Sequence, residues 1–164
     1  MNDLLLEVPL QPDFSSYIMC GSDEIVNKFY EPLRRLYPNY ISRKMIGIDT
    51  SGQYQMWLYD FCPDNYEACV YLQSGVHPIE TEGYLGLARI MEMIAKNELP
   101  DLRSKVRFLV VPIVSVYGVS KKAETDSIVK RYDIPHNFLG INSNRDCYER
   151  RLNETGNVLA IVEE

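Results

Sequence analysis

The chain has 164 residues, 46% of them hydrophobic and 24% charged, which suits one globular domain with a single core. Lysine and arginine number 17 against 23 aspartate and glutamate, a formal net charge of -6. That balance excludes nucleic acid and anionic membrane as main partners, because both require a basic face.

The opening "MNDLLLEVPL" does not read as a signal peptide: Asp3 stands where a basic residue belongs and Glu7 interrupts the apolar run. No stretch is long enough to span a membrane. Cys20, Cys62, Cys69 and Cys147 include no C-x-x-C pair, so a cysteine-ligated zinc site is not expected. With no secretory signal they are expected to be reduced and structural, in a cytoplasmic protein.

Residues 1–21 carry few period signals and are expected to form an irregular lead-in, with the domain at 22–164. "SDEIVNKFYEPLRRLYP" predicts a helix. Ser22 can cap it, and Ile25, Phe29, Leu33 and Leu36 share one face. Pro32 is expected to kink or split it, and Pro38 to stop it. "SRKMIGID" and "YQMWLYDF" flank "TSGQ" and predict a β-hairpin. "ACVYLQSGV" is nearly continuous apolar, as in a strand covered on both faces. Pro78 then suits a first helical position, and the helix is expected to reach about Asn97, before Pro100.

"VRFLVVPIVSV" predicts a second buried strand, parallel to the first. Strand, helix and strand make a βαβ unit, so the fold class is an α/β sandwich. Residues 117–147 read as loop, with at most a short helix inside. "NVLAIVEE" predicts one more strand or helix turn. The strand-to-helix turns carry no Gly-rich fingerprint, which argues against a nucleotide binder.

The loop after a buried strand is where such sheets bind ligands, and "SGVHPIE" occupies it. His77 and Glu80 have two readings. Glu80 at the third helical position would bond orphan backbone N–H groups and meet the positive end of the helix dipole, worth roughly 0.3–1 kcal/mol without any metal. Alternatively, imidazole and carboxylate are both zinc donors, and a turn entering a helix can aim positions i and i+3 at one point.

A second element, "GINSNRDC", comes much later. Together the two resemble the signature of the zinc metallocarboxypeptidases of the carboxypeptidase A type: His-x-x-Glu after a buried strand, then Gly-x-x-x-Asn-Arg after the next strand and a loop. Here they read His77-Pro78-Ile79-Glu80 and Gly140-Ile141-Asn142-Ser143-Asn144-Arg145. "YPNYISRKMIGIDTSGQYQMWLYDF" is similar to that family's Tyr-Pro helix end and hairpin. "VRFLVVPIVSVYGV" is similar to the strand before its Asn-x-Asp-Gly loop, although in Ser115-Val116-Tyr117-Gly118 only the glycine matches. The resemblance spans roughly residues 22 to 147.

The resemblance implies a three-layer sandwich with a mixed, largely parallel sheet. It implies zinc as cofactor, with His77 and Glu80 as ligands, and hydrolysis of a C-terminal residue by metal-activated water. Asn144 and Arg145 would hold the free carboxylate of a peptide or other substrate, a task for which a planar guanidinium and an amide N–H suit. Arg131 is the nearest candidate for the arginine that polarises the scissile carbonyl. Zinc deacylases of the aspartoacylase type share this logic and remain an alternative.

That family places its second zinc histidine and its general-base glutamate after the Asn-Arg element. Here 19 residues follow Arg145, with no histidine among them. His136 precedes the element and reads as a loop residue. Two ligands hold zinc weakly. The chain is therefore expected to be the N-terminal portion of such a domain, incomplete as an enzyme, or else an inactive binding or structural module. A portion of that kind exposes a sheet edge through which a homo-oligomer is expected.

Overall fold

A computed structural model describes residues 20–124, 137–146 and 148–163. The lead-in up to residue 19 lies outside the described residues. Helix α1 (Ser22–Ile25), a π-type turn (Val26–Tyr30) and α2 (Glu31–Leu36) run on as one helical rod. Pro32 neither breaks nor ends it. A proline cannot donate the i to i-4 bond and crowds the carbonyl behind it. Just ahead of it the rod widens to π pitch, with the Glu31 N–H bonding Val26 O. Ser22 is not the cap. That position falls to Gly21, without a side-chain bond, and the Ser22 hydroxyl meets Ser120 Oγ at 2.7 Å.

Strands β1 (Ile41–Ile48) and β2 (Gln55–Phe61) form the expected hairpin. Then come β3 (Ala68–Gln73), α3 (Thr81–Ala95), the short α4 (Pro100–Lys105) and β4 (Val106–Val111). The sheet order is β1-β2-β4-β3. The expected β3–β4 pair is parallel, and β1–β2 and β2–β4 are antiparallel. The sheet is thus mixed, with one parallel pairing.

Side chains alternate across β2. Tyr59 and Phe61 face α1 and α2, where the Tyr59 hydroxyl donates to Glu31 Oε1 at 2.6 Å. Arg34 and Arg43 close on the same carboxylate at 2.9 and 2.7 Å. Met56 and Leu58 face the opposite side and α6 (Asn153–Glu163), whose Asn157 amide lies 3.5 Å from Met56 Sδ. This places helices on both faces of the sheet. The cover on the second face is partial: beside α6 a groove of about 670 Å³ opens over Lys44, Asp60, Arg107 and Leu109.

Two further expectations change, at β3 and at the final segment. β3 is not covered on both faces: among the described residues it is an edge strand, with Ala68, Cys69 and Val70 exposed. The short helix allowed for within 117–147 is α5 (Val116–Ala123), which buries Val116 and Val119. The final segment, expected as a strand or a helix turn, is an 11-residue helix.

α6 is latched to the β1–β2 turn. The buried Glu154 carboxylate accepts the Thr50 N–H at 3.2 Å and the Thr50 hydroxyl, and the Asn153 N–H donates to Thr50 Oγ1 at 2.9 Å. The approach is close enough that a Cβ on Gly47 would collide with the Asn157 amide. Burial pushes the Glu154 carboxyl up from its ordinary 4.5, against the Thr50 bonds that favour its charge. The folded chain thus holds this proton more tightly than the unfolded one. The stabilisation is full below pH 4.5 and lost as pH rises through the raised folded-state value. Glu154→Gln cannot titrate, so its melting temperature should gain on the parent's as pH rises from about 4.5 to about 8. A constant gap in thermal melts across that range would refute this.

Candidate functional site

β3 and β4 are parallel, so their C-terminal ends open on the same side, the usual place for a ligand in such sheets. The loop leaving β3 is stitched to the loop leaving β4. The Val114 N–H donates to Ser74 O at 2.9 Å, the Ser115 N–H to Gly75 O at 2.8 Å, and the Ser74 hydroxyl to Pro112 O. Gly75 takes φ +62°, and a Cβ there would sit 3.0 Å from Ile113 Cδ1 and 3.2 Å from Ile113 Cα. Only glycine meets both conditions without strain. These contacts fix the path of Val76 and His77.

The helix does not begin at Pro78. Pro78 and Ile79 form a turn, the Glu80 N–H bonds His77 O at 3.2 Å, and α3 starts at Thr81. Glu80 is therefore the residue before the helix, not its third residue. Its residue is exposed and its side chain makes no capping bond, although Glu80 still stands at the N-cap of α3, by the positive end of the helix dipole.

The second element is built by asparagines. Buried Asn137 receives the N–H groups of Leu139 and Ile141 on its Oδ1, both at 3.1 Å, folding the loop that carries Gly140. Asn142 Oδ1 accepts the Asn144 N–H at 3.0 Å and caps a 3-10 turn over Ser143–Arg145. Asp146 is buried. Its carboxylate accepts the N–H groups of Arg151 at 3.0 Å and Leu152 at 2.9 Å. Burial acts to raise this carboxyl, and those N–H groups more than offset it, so it stays below its ordinary value. The sequence reading missed Asn137 and Asp146. The Asn142-x-Asn144 spacing signals an Asx turn, whereas a carboxylate bonding five and six residues ahead has no local signature.

The two elements meet. Asn144 Nδ2 lies 2.8 Å from His77 Nε2, across 67 positions of sequence. Beside them a crevice of about 210 Å³ runs between the end of β3 and α6, walled by Val76, Val114, Val158 and Leu159, with Asn144 on its rim. Arg145 is exposed on the same turn. Arg131 and His136 lie outside the described residues.

His77 and Glu80 are of the donor types zinc prefers, but a catalytic zinc takes three protein ligands. Among the described residues no group of three or more His, Cys, Asp and Glu side chains is placed to hold a metal. The described residues alone do not fit a retained zinc ion. No helix among them is long and apolar enough to cross a membrane.

No family model and no curated protein matches the sequence. Solved structures do match. A metallo-carboxypeptidase from Burkholderia cenocepacia aligns with a TM-score of 0.68 at 16% identity, over 87% of this chain and 37% of its own. Bovine thrombin-activatable fibrinolysis inhibitor, solved in complex with tick carboxypeptidase inhibitor, aligns with a TM-score of 0.57 at 17% identity, over 67% of this chain and 36% of its own. The chain has the mixed α/β fold of the metallocarboxypeptidases, and it spans little more than a third of the length of these structures.

Proposed function

We propose that the chain forms part of a zinc-dependent carboxypeptidase-like hydrolase that removes a C-terminal residue from a peptide. The observation that carries this reading is the 2.8 Å contact between Asn144 and His77. It brings a zinc-type donor and a carboxylate-type receptor to one place at the end of a parallel strand pair. His77 and Glu80 supply two metal donors, and Arg145 with Asn144 receives the substrate's terminal carboxylate. Zinc, when bound, supplies an activated water. Arg131 is proposed to polarise the scissile carbonyl. Completion of the metal site falls to groups beyond the described residues, and β3, outermost in the sheet among the described residues, gives the chain a route to association.

A second reading keeps the carboxylate-binding turn without catalysis, as a binding or structural module. The lack of a third donor among the described residues favours it for the chain acting alone. A zinc amide deacylase of the aspartoacylase type is the third reading, since it needs the same donors and a free carboxylate.

Zinc stoichiometry by elemental analysis separates these readings. The chain and its His77→Ala variant are dialysed against a modest excess of zinc. Near-stoichiometric metal that disappears in the variant supports the hydrolase readings. No retained zinc in either points to the non-catalytic module for this chain.

A further inference from the structure

We propose that the cavity at the end of the sheet away from His77 binds a small zwitterion of the α-amino acid class, its carboxylate on Arg103 and its ammonium on Asp64. The cavity holds about 330 Å³, and its lining includes Tyr40, Cys62, Asp64, Asn97, Arg103 and Ser104. These residues stand just before β1, just after β2, just after α3 and just before β4. His77 follows the opposite, C-terminal end of β3, so the cavity is separate from the candidate site above.

Arg103 is already set for an anion. Its Nη1 donates to Ala95 O, in the last turn of α3. Its Cζ lies 4.1 Å from the ring centroid of Tyr40 and 5.1 Å from that of Tyr37. Nε and Nη2 form no hydrogen bond among the described residues. Those two groups make the parallel fork that fits a carboxylate. The side chain is held before any ligand arrives, so little rotamer freedom is left to lose. The backbone of the walls is tied as well. The Cys62 N–H donates to Tyr40 O at 2.9 Å and the Arg103 N–H to Leu99 O at 3.0 Å, while Asn97 closes α3 at φ +64°.

A simple anion would meet Asp64 in the same cavity. Asp64 is exposed and has neither an ion pair nor a hydrogen bond from its side chain among the described residues. One unused charge of each sign disfavours a lone anion and a lone cation and suits a ligand that carries both. Tyr40 adds a polar group. It is 8% exposed, and its hydroxyl has no hydrogen-bond partner among the described residues. A buried donor of that kind calls for a partner from outside the fold. The proposed hydrolysis would release such a zwitterion, although Arg103 and Asp64 select it whatever the chain's activity.

The test is a titration of the nitrogen-15-labelled chain with L-alanine, whose one-carbon side chain leaves binding to the two charges. The backbone amides of Asp64, Asn97 and Ser104 should move along one saturating curve. L-alaninamide lacks the carboxylate. N-acetyl-L-alanine, a free carboxylate of the kind proposed for Arg145, lacks the ammonium. Each should bind at these three residues roughly tenfold more weakly, the effect of losing one charged hydrogen-bonding partner. Asp64→Asn removes a carboxylate that holds no other described residue, and Arg103→Lys keeps the charge and the stem while losing the fork. Both should weaken L-alanine binding roughly tenfold, with the amide shifts of the sheet reporting that each variant is folded. Equal binding of L-alanine and N-acetyl-L-alanine at these amides, or L-alanine binding that survives intact in either variant, overturns the zwitterion assignment. Three amides that stay unmoved by L-alanine overturn the site itself. Neither failure touches the reading of Asn144 and Arg145, which are at the other end of the sheet.

Discussion

Gly75→Val is expected to destabilise the chain by about 3 kcal/mol, the sum of a β-branched residue forced to positive φ and an overpacked contact. Gly75 has φ +62°, and the new Cβ would meet both Ile113 Cδ1 and the Ile113 backbone. The side chain of Ile113 can shift, but its Cα is fixed by the loop bonds of Val114 and Ser115 to Ser74 and Gly75. Relief requires parting the β3 and β4 loops, and that moves His77, two residues on. Urea denaturation should show the midpoint falling well below the parent's, with Gly75→Ala in between. A valine variant as stable as the parent would refute this account of the loop.

Asp146→Ala carries the second large effect, expected at about 3 kcal/mol. Its carboxylate satisfies two backbone N–H groups ahead of α6, at Arg151 and Leu152, and Leu152 is itself buried. Hydrogen bonds to a charged acceptor contribute roughly 1.5–3 kcal/mol each, and a buried donor left without a partner adds a desolvation cost. The function should suffer as well, since Asp146 directly follows Arg145 and ties the 3-10 turn to α6. N-acetyl-L-alanine affinity should fall in a variant whose Arg145 is intact. Unchanged stability in denaturant would show that the turn is held by Asn142 alone.

Much of the scaffold was legible in the sequence, and the candidate site only as the order of its motifs. The hairpin was legible because its two runs flank a Ser-Gly turn, and the β3–α3–β4 unit because α3 keeps an apolar stripe through Tyr84, Met91 and Ile94. The position of β3 was not legible. Its run "ACVYLQSGV" has the composition of a covered strand, but whether neighbours cover it is settled by sheet order, which the run does not encode. Nor was the start of α3. A proline suits the first helical position, yet Pro78 here closes a turn that sets His77 and Glu80 outside the helix. α5 begins at Val116, in a run whose apolar composition also suits the end of a strand, so the short helix allowed for in 117–147 had no legible start. The contact between His77 and Asn144 was foreshadowed by motif order alone; the distance came from the stitched loops and the asparagine-built turn.

The His-x-x-Glu and Asn-Arg elements are expected to share one site, joined at His77 and Asn144. The direct measurement is a nuclear Overhauser contact between the His77 ring protons and the Asn144 side-chain amide protons. At 2.8 Å between heavy atoms the cross-peak should be strong, and it should vanish in His77→Ala while the contact between Asn153 and Thr50 persists. A missing cross-peak in a chain that keeps the Asn153–Thr50 contact would mean that the fold is right and the two elements do not meet.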